Sequence, residues 1–320
     1  MIEPMTVGDQ GAIIARIGPL VDSHHHLWDL DANRYPWLQD KVFDNAHFGD
    51  YAAIRRNYRA SDYLSDLGAV QLLASVHVEA HWRGFIDSAG ETAWLDREAS
   101  EQNVPSAIVG YADLTDPNLE VTLDEHMRSP RFRGVRMMTK RQRAPSGAEL
   151  LSDPAFCRGL GIVHERGLSF DLQAPPSIMA AAADLADAFP DPSIILTHAG
   201  LPLDRSAAGV ALWRHGIAAL SERANVTAKL SGLPMTDWHW DVESLRPFVE
   251  HLLACFGADR VMFGSNFPVD SLFSSFPKLV AGYGQIVGER GDAAIDAVFR
   301  TTAARVYRLD LSSPISEAGK

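Results

Sequence analysis

The feature that most constrains the fold is a pattern that recurs along the chain: a short apolar run is followed by a longer segment with helical spacing of apolar residues. This alternation is typical of a parallel sheet built from βα units. Eight such units in 320 residues predict a (β/α)8 TIM barrel, which commonly has about 250 residues plus loop insertions. The predicted strands are Pro19–His26, Val70–Glu79, Ser106–Asp113, Gly134–Met138, Leu168–Gln173, Ser193–His198, Val226–Leu230 and Arg260–Gly264.

Helices are predicted between these strands and after the last one. An open, doubly wound sheet is the alternative architecture, but neither a Gly-x-Gly-x-x-Gly motif nor a P-loop follows the first predicted strand, so nucleotide binding has no support. No linker of distinct composition divides the chain, and we expect one domain over residues 1–320, with its core at 19–308. The predicted helices are Ala60–Leu67 with Ser61 as its N-cap, Thr92–Glu101, Leu119–His126, Pro154–Arg166, Ser177–Phe189, Ala208–Arg223, Val242–Phe256 and Asp292–Tyr307.

A long connection, residues 27–70, separates the first two predicted strands. Ordinary βα connections are much shorter. Long loops at the C-terminal face of a barrel commonly cover the active site, so we expect this insertion to line a substrate pocket with Trp28 and Tyr35, the latter beside Pro36 and Trp37. A packed surface excursion with its own small apolar cluster is the alternative.

The net charge and the cysteine content indicate which classes of binding partner and which cellular compartment to expect. The chain has 29 Lys and Arg against 41 Asp and Glu, a formal net charge of -12 that repels nucleic acids and anionic membranes. No apolar stretch is long enough to span a membrane, and no secretory signal pattern is present. Cys157 and Cys255 form no Cys-x-x-Cys pair, so a reducing, cytoplasmic location is expected. The expected partner is a small molecule, and a homo-oligomer is left open.

Three consecutive histidines, His24, His25 and His26, end the first predicted strand. Because strand side chains alternate, His24 and His26 point to one face and His25 to the other. Two imidazoles spaced in this way can bind one divalent ion such as zinc. His198, in Thr-His-Ala-Gly at the end of the sixth predicted strand, is a candidate third ligand. A cluster of hydrogen-bonded polar side chains is the alternative interpretation.

The chain resembles the amidohydrolase superfamily in several motifs that occur in order: DSHHHLWD, YPWL, THAG, KLSG and MFGSNFPVD. The resemblance extends from about Val21 to Arg308. It is to the amidohydrolase-related branch of TIM-barrel hydrolases, which includes sugar-lactone and pyrone-dicarboxylate lactonases. It implies that His24 and His26 are the His-x-His pair of strand one, and that His198 is the histidine of strand six.

Two positions depart from the pattern of the superfamily. The strand-eight position, usually aspartate, falls on Asn266, which carries no charge and is not a general base. Strand five ends in Gln173, where many members have another histidine, so a two-metal site bridged by a carboxylated lysine is not supported. The prediction is therefore either one divalent metal, such as zinc, or none.

A carboxylate could replace the missing base. By alternation, His77 and Glu79 share a face at the end of the second predicted strand, and Glu79 is a candidate ligand or proton acceptor. The alternative for Glu79 is a hydrogen bond to Arg136. Asp270 and Asp22 are the other candidate bases.

A basic stretch follows the fourth predicted strand in this acidic chain. A guanidinium at a barrel mouth can bind a carboxylate in bidentate fashion, so Arg136 predicts an anionic substrate. Lys229, at the end of the seventh predicted strand, is a weaker substrate-binding candidate and could instead form a buried ion pair. The basic residues are Arg131, Arg133, Arg136, Lys140, Arg141 and Arg143.

The leading hypothesis is a hydrolase that opens a small cyclic ester, a sugar-type or acidic lactone. Three histidines, with or without zinc, would polarise the carbonyl or activate water, a carboxylate would accept the proton, and Arg136 would orient an acid group. A decarboxylase or lactone isomerase on the same scaffold is one alternative. A non-catalytic protein that binds a small anion, with Asn266 marking a lost active site, is another.

Overall fold

The eight strands form one parallel sheet in the order β1 to β8, as the TIM-barrel prediction requires. The computed structural model describes residues 6–40, 48–138, 147–191, 193–312 and 315. Seven of the eight strands fall within their predicted segments, and the fourth, Phe132–Arg136, begins two residues before its predicted start at Gly134. The fold prediction is therefore confirmed, with one shifted boundary. The strands are β1 Leu20–His25, β2 Leu72–Val78, β3 Ala107–Tyr111, β4 Phe132–Arg136, β5 Ser169–Leu172, β6 Ile194–Leu196, β7 Val226–Leu230 and β8 Val261–Phe263.

The barrel closes where the chain beyond β8 meets β1. The backbone N–H of Asn266 donates to the carbonyl oxygen of His24, and the N–H of His26 donates to the carbonyl oxygen of Phe267, both over 2.7 Å. Small and branched side chains fill the barrel interior, as in a packed barrel core. They include Val21, Ala74, Val76, Val78, Ala107, Val109, Ile195 and Met262.

Helices surround the barrel, and two of the longer ones were not predicted. Helix α1 precedes the barrel and packs against α11, where the absence of a side chain at Gly284 leaves room for the side chain of Ile17. The predicted final helix is interrupted by a π-helical turn, Ala297–Thr301. The helices are α1 Val7–Ile17, α2 Pro36–Gln39, α3 Ala60–Asp66, α4 Ser88–Gln102, α5 Leu119–His126, α6 Gly147–Leu151, α7 Pro154–Glu165, α8 Met179–Ala188, α9 Ala207–Ser221, α10 Val242–Phe256, α11 Phe276–Gly288, α12 Asp292–Asp296 and α13 Thr302–Tyr307.

The N-cap predicted for α3 is wrong. The cap is Arg59 and not Ser61, because the helix begins at Ala60. The Asp62 carboxylate accepts a hydrogen bond from the backbone N–H of Arg59 over 2.9 Å. The Asp62 carboxylate in the first turn thus satisfies the backbone N–H of Arg59, the residue before the helix, and no Ser side chain is needed at the N-cap.

The long connection after β1 folds onto the barrel as an aromatic cluster. Trp28, Tyr35, Tyr51 and Tyr58 are almost completely buried. The indole N–H of Trp28 donates to the carbonyl oxygen of Arg56 over 2.7 Å. The described part of the insertion is therefore packed onto the barrel, and its buried aromatic residues are continuous with the main hydrophobic core.

Among the described residues, no helix combines the length and the apolarity that a membrane crossing requires.

Candidate active site

A pocket lies at the C-terminal ends of the strands, the face on which barrel enzymes bind their substrates. Five of the predicted site residues line it: His26, Glu79, Arg136, His198 and Asn266. Apolar and further polar side chains complete the lining. They are Trp37, Phe48, Ala80, His81, Met138, Gln173, Met235 and Val269.

The insertion contributes to this pocket, but with other residues than the two predicted. Trp28 and Tyr35 pack inside the aromatic cluster and are absent from the lining, whereas Trp37 and Phe48 are part of it. The indole N–H of Trp37 donates to the carbonyl oxygen of Ala80 over 2.9 Å, which fixes that ring against the end of β2.

An extra residue in β1 shapes the histidine-bearing edge of the barrel. Asp22 pairs with Ser75 and His25 with His77, so three steps along β1 match two along β2, which is the pattern of a β-bulge. The ring of His25 turns outward and stacks on Tyr63 of α3 at 4.3 Å between centroids. The outward direction predicted for His25 matches this placement.

His24, His26 and His198 come together at the mouth of the barrel. The ring centroid of His24 lies 5.1 Å from that of His26 and 4.5 Å from that of His198. Burial lowers the pKa of His24 well below its usual value, and the charge of Lys229 lowers it further. Burial and the charge of Arg136 do the same for the pKa of His26. Both rings are therefore neutral at neutral pH.

The ring of His26 has a defined tautomer. Its Nδ1 lies 2.7 Å from the carbonyl oxygen of Val78, and a carbonyl can only accept. Nδ1 thus carries the proton, which leaves a lone pair on Nε2. The Asn266 amide nitrogen donates to Asp270 over 2.8 Å. Burial is the largest influence on the pKa of His26 and lowers it, while a hydrogen bond with the Asn266 side chain acts in the opposite direction and raises it. Neutral His26 therefore offers the pocket a basic nitrogen.

Two residues of the site have left-handed backbone conformations, His198 with a φ of 53° and Asn266 with a φ of 56°. Such conformations are uncommon for residues other than glycine and often occur at functional sites. Ser231 holds the imidazole of His198 through a contact of 3.1 Å between Nδ1 and Oγ.

Gly232 supports this histidine, and replacing it gives a testable result. A Cβ at Gly232, where φ is +65°, would lie 2.7 Å from Nδ1 of His198. We expect Gly232→Ala to displace the ring and to lower kcat/KM about tenfold or more. Gly167→Ala is the matched control, because its φ is +67° and nothing lies within 4 Å of its Cβ position. Equal losses of kcat/KM in the two variants would mean that backbone strain alone is responsible.

Glu79 and Arg136 form a buried ion pair inside the pocket. The guanidinium Nε of Arg136 donates to Glu79 Oε1 over 2.7 Å, and an Nη donates to the carbonyl oxygen of Glu79 over 2.6 Å. The backbone N–H of His81 donates to the other carboxylate oxygen over 2.9 Å. The hydrogen bond to Arg136 considered for Glu79 is therefore present.

The prediction that His77 and Glu79 share a face is wrong. β2 ends at Val78, so alternation no longer applies at Glu79, which turns into the pocket. His77 is fully buried outside the lining, and its Nδ1 accepts a hydrogen bond from the backbone N–H of Leu27 over 3.1 Å.

The two other candidate bases lie outside the pocket lining. Asp270 is buried behind Asn266, and burial raises the pKa of its carboxyl well above the usual value. Asp22 is also buried. Its carboxylate accepts hydrogen bonds from the backbone of His24, from Tyr63 and from Ser265, so it joins β1 to α3 and to the segment after β8.

Lys229 is completely buried in the barrel and does not line the pocket. Its Nζ donates to the Asp171 carboxylate over 2.7 Å, and the Tyr307 hydroxyl donates to the same carboxylate over 2.9 Å. The buried ion pair considered for Lys229 is therefore present. Its partner Asp171 was not predicted from the sequence, although this residue lies one position before the end of the short strand β5 and is the only acid in it.

Among the described residues of the basic stretch, Arg136 is the one that lines the pocket. Arg131 pairs with Asp96 over 2.6 Å, and Arg133 donates to the carbonyl oxygen of Pro130. Three further members lie outside the described residues. These are Lys140, Arg141 and Arg143.

The residues around the histidine cluster do not meet the requirements of a zinc ion. In the part of the chain that the structure describes, no three His, Cys, Asp or Glu side chains are arranged to hold one ion. The Lys229 ammonium lies 3.3 Å from Nδ1 of His24, and Asn266 adds an amide where a carboxylate would balance the charge of the ion. The residues present therefore do not fit a zinc centre.

Because His25 is completely buried, we expect it to make the stability of the fold depend measurably on pH. Burial lowers the pKa of this histidine to about 3, while in the unfolded chain it is protonated near its usual pKa of 6.5. The unfolded state thus binds more protons between these values, so His25 stabilises the fold above pH 6.5 and loses this effect as the pH falls toward 3. We expect the difference in unfolding free energy between wild type and His25→Gln to shrink by about 1.4 kcal/mol per pH unit in this window. Chemical denaturation at pH 7, 6 and 5 measures it, and a constant difference would contradict the shift.

The sequence profile of the amidohydrolase family matches residues 21–309. This chain belongs to the amidohydrolase family. A protein of Sinorhizobium fredii, described as uncharacterized protein y4mH, is 40% identical over 299 residues, covering 91% of this chain and 98% of that protein. The L-fucono-1,5-lactonase of Burkholderia multivorans is 29% identical and covers 90% of this chain and 96% of its own length.

Solved structures of other proteins have the same fold. A crystal structure of a Burkholderia multivorans amidohydrolase with bound zinc superposes with a TM-score of 0.79 at 26% identity, covering 92% of this chain and all of that one. A 2,6-dihydroxybenzoate decarboxylase from Rhizobium superposes with a TM-score of 0.61 at 17% identity, covering 91% and 99%. This second similarity concerns the fold alone.

Proposed function

We propose that this protein hydrolyses a small lactone. The observation that carries the proposal is His26, a neutral imidazole in the pocket whose Nδ1 is held by Val78 and whose Nε2 is available as a base. The relatives named L-fucono-1,5-lactonase support a cyclic ester as the substrate.

In the proposed reaction, a water molecule attacks the carbonyl carbon of the lactone while Nε2 of His26 accepts its proton. The guanidinium of Arg136 stabilises the negative charge that develops on the carbonyl oxygen. The ring C–O bond then breaks, and the imidazolium of His26 returns the proton to the leaving oxygen. The product is an open-chain hydroxy acid.

We further propose that the substrate is neutral and of the sugar type. Arg136 predicts an anion when its charge is considered alone, but Glu79 balances that charge inside the pocket. A carboxylate on the substrate would meet Glu79 as well as Arg136, and like charges at close range in a buried site repel strongly. Polar side chains such as Gln173 and His81 are suited to hydroxyl groups.

The zinc prediction is supported by the crystal structure of the similar Burkholderia multivorans amidohydrolase, which has bound zinc, but not by the arrangement of the described residues of this chain. The proposed steps therefore use side chains alone. Elemental analysis of purified protein, with activity measured before and after chelation, tests this part of the proposal. Loss of hydrolysis on chelation, restored by zinc, would contradict it.

A panel of neutral and carboxylate-bearing lactones tests the function, with acid release followed by a pH indicator. We expect turnover of at least one neutral sugar lactone and weaker turnover of anionic ones. The same protein incubated with aromatic acids and assayed for CO2 tests the decarboxylase alternative. Stoichiometric lactone binding without turnover would instead support the binding-protein alternative.

A further inference from the structure

The ammonium group of Lys229 has three acceptors around it, deep in the barrel. The carboxylate of Asp171 lies at 2.7 Å, the carbonyl oxygen of Ser23 at 2.8 Å, and Nδ1 of His24 at 3.3 Å. An ammonium has three N–H bonds, so this set satisfies it completely. Tyr307 completes the arrangement by donating to the Asp171 carboxylate.

These contacts determine the tautomer of His24. The carboxylate and the carbonyl can only accept, so the third N–H of Lys229 is directed to Nδ1 of His24. A neutral imidazole that accepts at Nδ1 carries its proton on Nε2. His24 and His26 therefore have opposite tautomers, although their centroids are only 5.1 Å apart.

The remaining ring nitrogen of His24 lacks a partner. Its Nε2 is buried and has no hydrogen-bond partner among the described residues. An unsatisfied buried N–H costs about 1–3 kcal/mol, so a partner is expected in the working enzyme. Because Nε2 carries a proton, that partner must be an acceptor atom and cannot be a cation.

We infer that Lys229 is a positioning residue that holds His24 as an Nε2–H donor, whose ligand is an oxygen atom and not a metal ion. That oxygen belongs to a bound water, because His24 is completely buried and, unlike His26 and His198, does not line the pocket. Only the catalytic consequence rests on the proposed lactone hydrolysis. The tautomer itself follows from Lys229, Asp171 and Ser23.

Nitrogen NMR of protein labelled with 15N-histidine tests the tautomer without any substrate. The His24 signals are assigned by their loss in His24→Gln. We expect wild type at pH 7 to show His24 protonated at Nε2 and His26 protonated at Nδ1. A wild-type spectrum with His24 protonated at Nδ1 would overturn the inference.

The Lys229→Met variant tests whether Lys229 determines the tautomer of His24. We expect the Nε2–H population of His24 to fall, the affinity for zinc measured by calorimetry to rise about tenfold, and kcat to fall about 10- to 100-fold with little change in KM. Lys229→Met/Asp171→Asn removes both charges and serves if the single variant does not fold. Lys278→Met, which removes a lysine packed over Trp240 outside the barrel, is the control and should change none of these values.

An unchanged His24 tautomer in both Lys229 variants would overturn the role of Lys229. If the tautomer changes as expected but no lactone is hydrolysed by wild type, the positioning role stands and the proposed function fails.

Discussion

Replacing His26 with glutamine should lower kcat/KM for lactone hydrolysis about 10³-fold, within the range seen for loss of a general base. Glutamine can keep the hydrogen bond to the carbonyl oxygen of Val78 but has no nitrogen lone pair to accept a proton. The measurement is steady-state hydrolysis of the best neutral lactone, together with the thermal unfolding midpoint.

His25→Gln is the matched control, because it makes the same change one residue away on the other side of β1. His25 contacts Ser75 and Tyr63 and is absent from the pocket lining, so this variant should lose stability but keep kcat/KM per folded molecule within about threefold. Similar losses of kcat/KM in both variants would point to disruption of β1 and not to loss of a base.

Replacing Glu79 with glutamine should give the largest loss of stability. The Arg136 guanidinium would remain buried without its counter-charge, and breaking a buried pair in this way costs about 3–5 kcal/mol. Chemical denaturation measures the free energy of unfolding. Glu98→Gln is the comparison, since its partner Arg59 is 42% exposed in its side chain, and the expected loss there is about 1 kcal/mol or less.

The Glu79→Gln variant also tests whether the Glu79 carboxylate disfavours negatively charged substrates. Without the Glu79 carboxylate, the positive charge of Arg136 is unbalanced, so we expect kcat/KM for a carboxylate-bearing lactone to rise about tenfold relative to a neutral one. The double variant Glu79→Gln/Arg136→Met should recover stability without gaining that preference. An unchanged ratio between the two substrates in Glu79→Gln would contradict the charge argument.

Local patterns predicted the fold well because each βα unit carries its own signal. The strand-end rule also placed His24, His26 and His198 together, since parallel strands bring their carboxyl ends to one rim. Helix α1 precedes the first strand and belongs to no βα unit, so the repeating pattern did not predict it.

The local sequence could not predict which side chains pair with each other within the site. Alternation placed Glu79 beside His77, but the strand ends between them, and only the fold shows which residue turns inward. Asp171 and Lys229 are 58 residues apart, and nothing in either local sequence specifies that they meet. Buried pairs of this kind depend on the closed barrel and not on any one segment.

The hydrogen bonds that close the barrel also join residues of the candidate active site. The backbone of His24 and His26 bonds to that of Asn266 and Phe267, so this seam cannot open while the barrel stays shut. In native-state hydrogen exchange, the amides of His26 and Asn266 should therefore exchange only through global unfolding. We therefore expect activity and the closed barrel to be lost together as the protein unfolds.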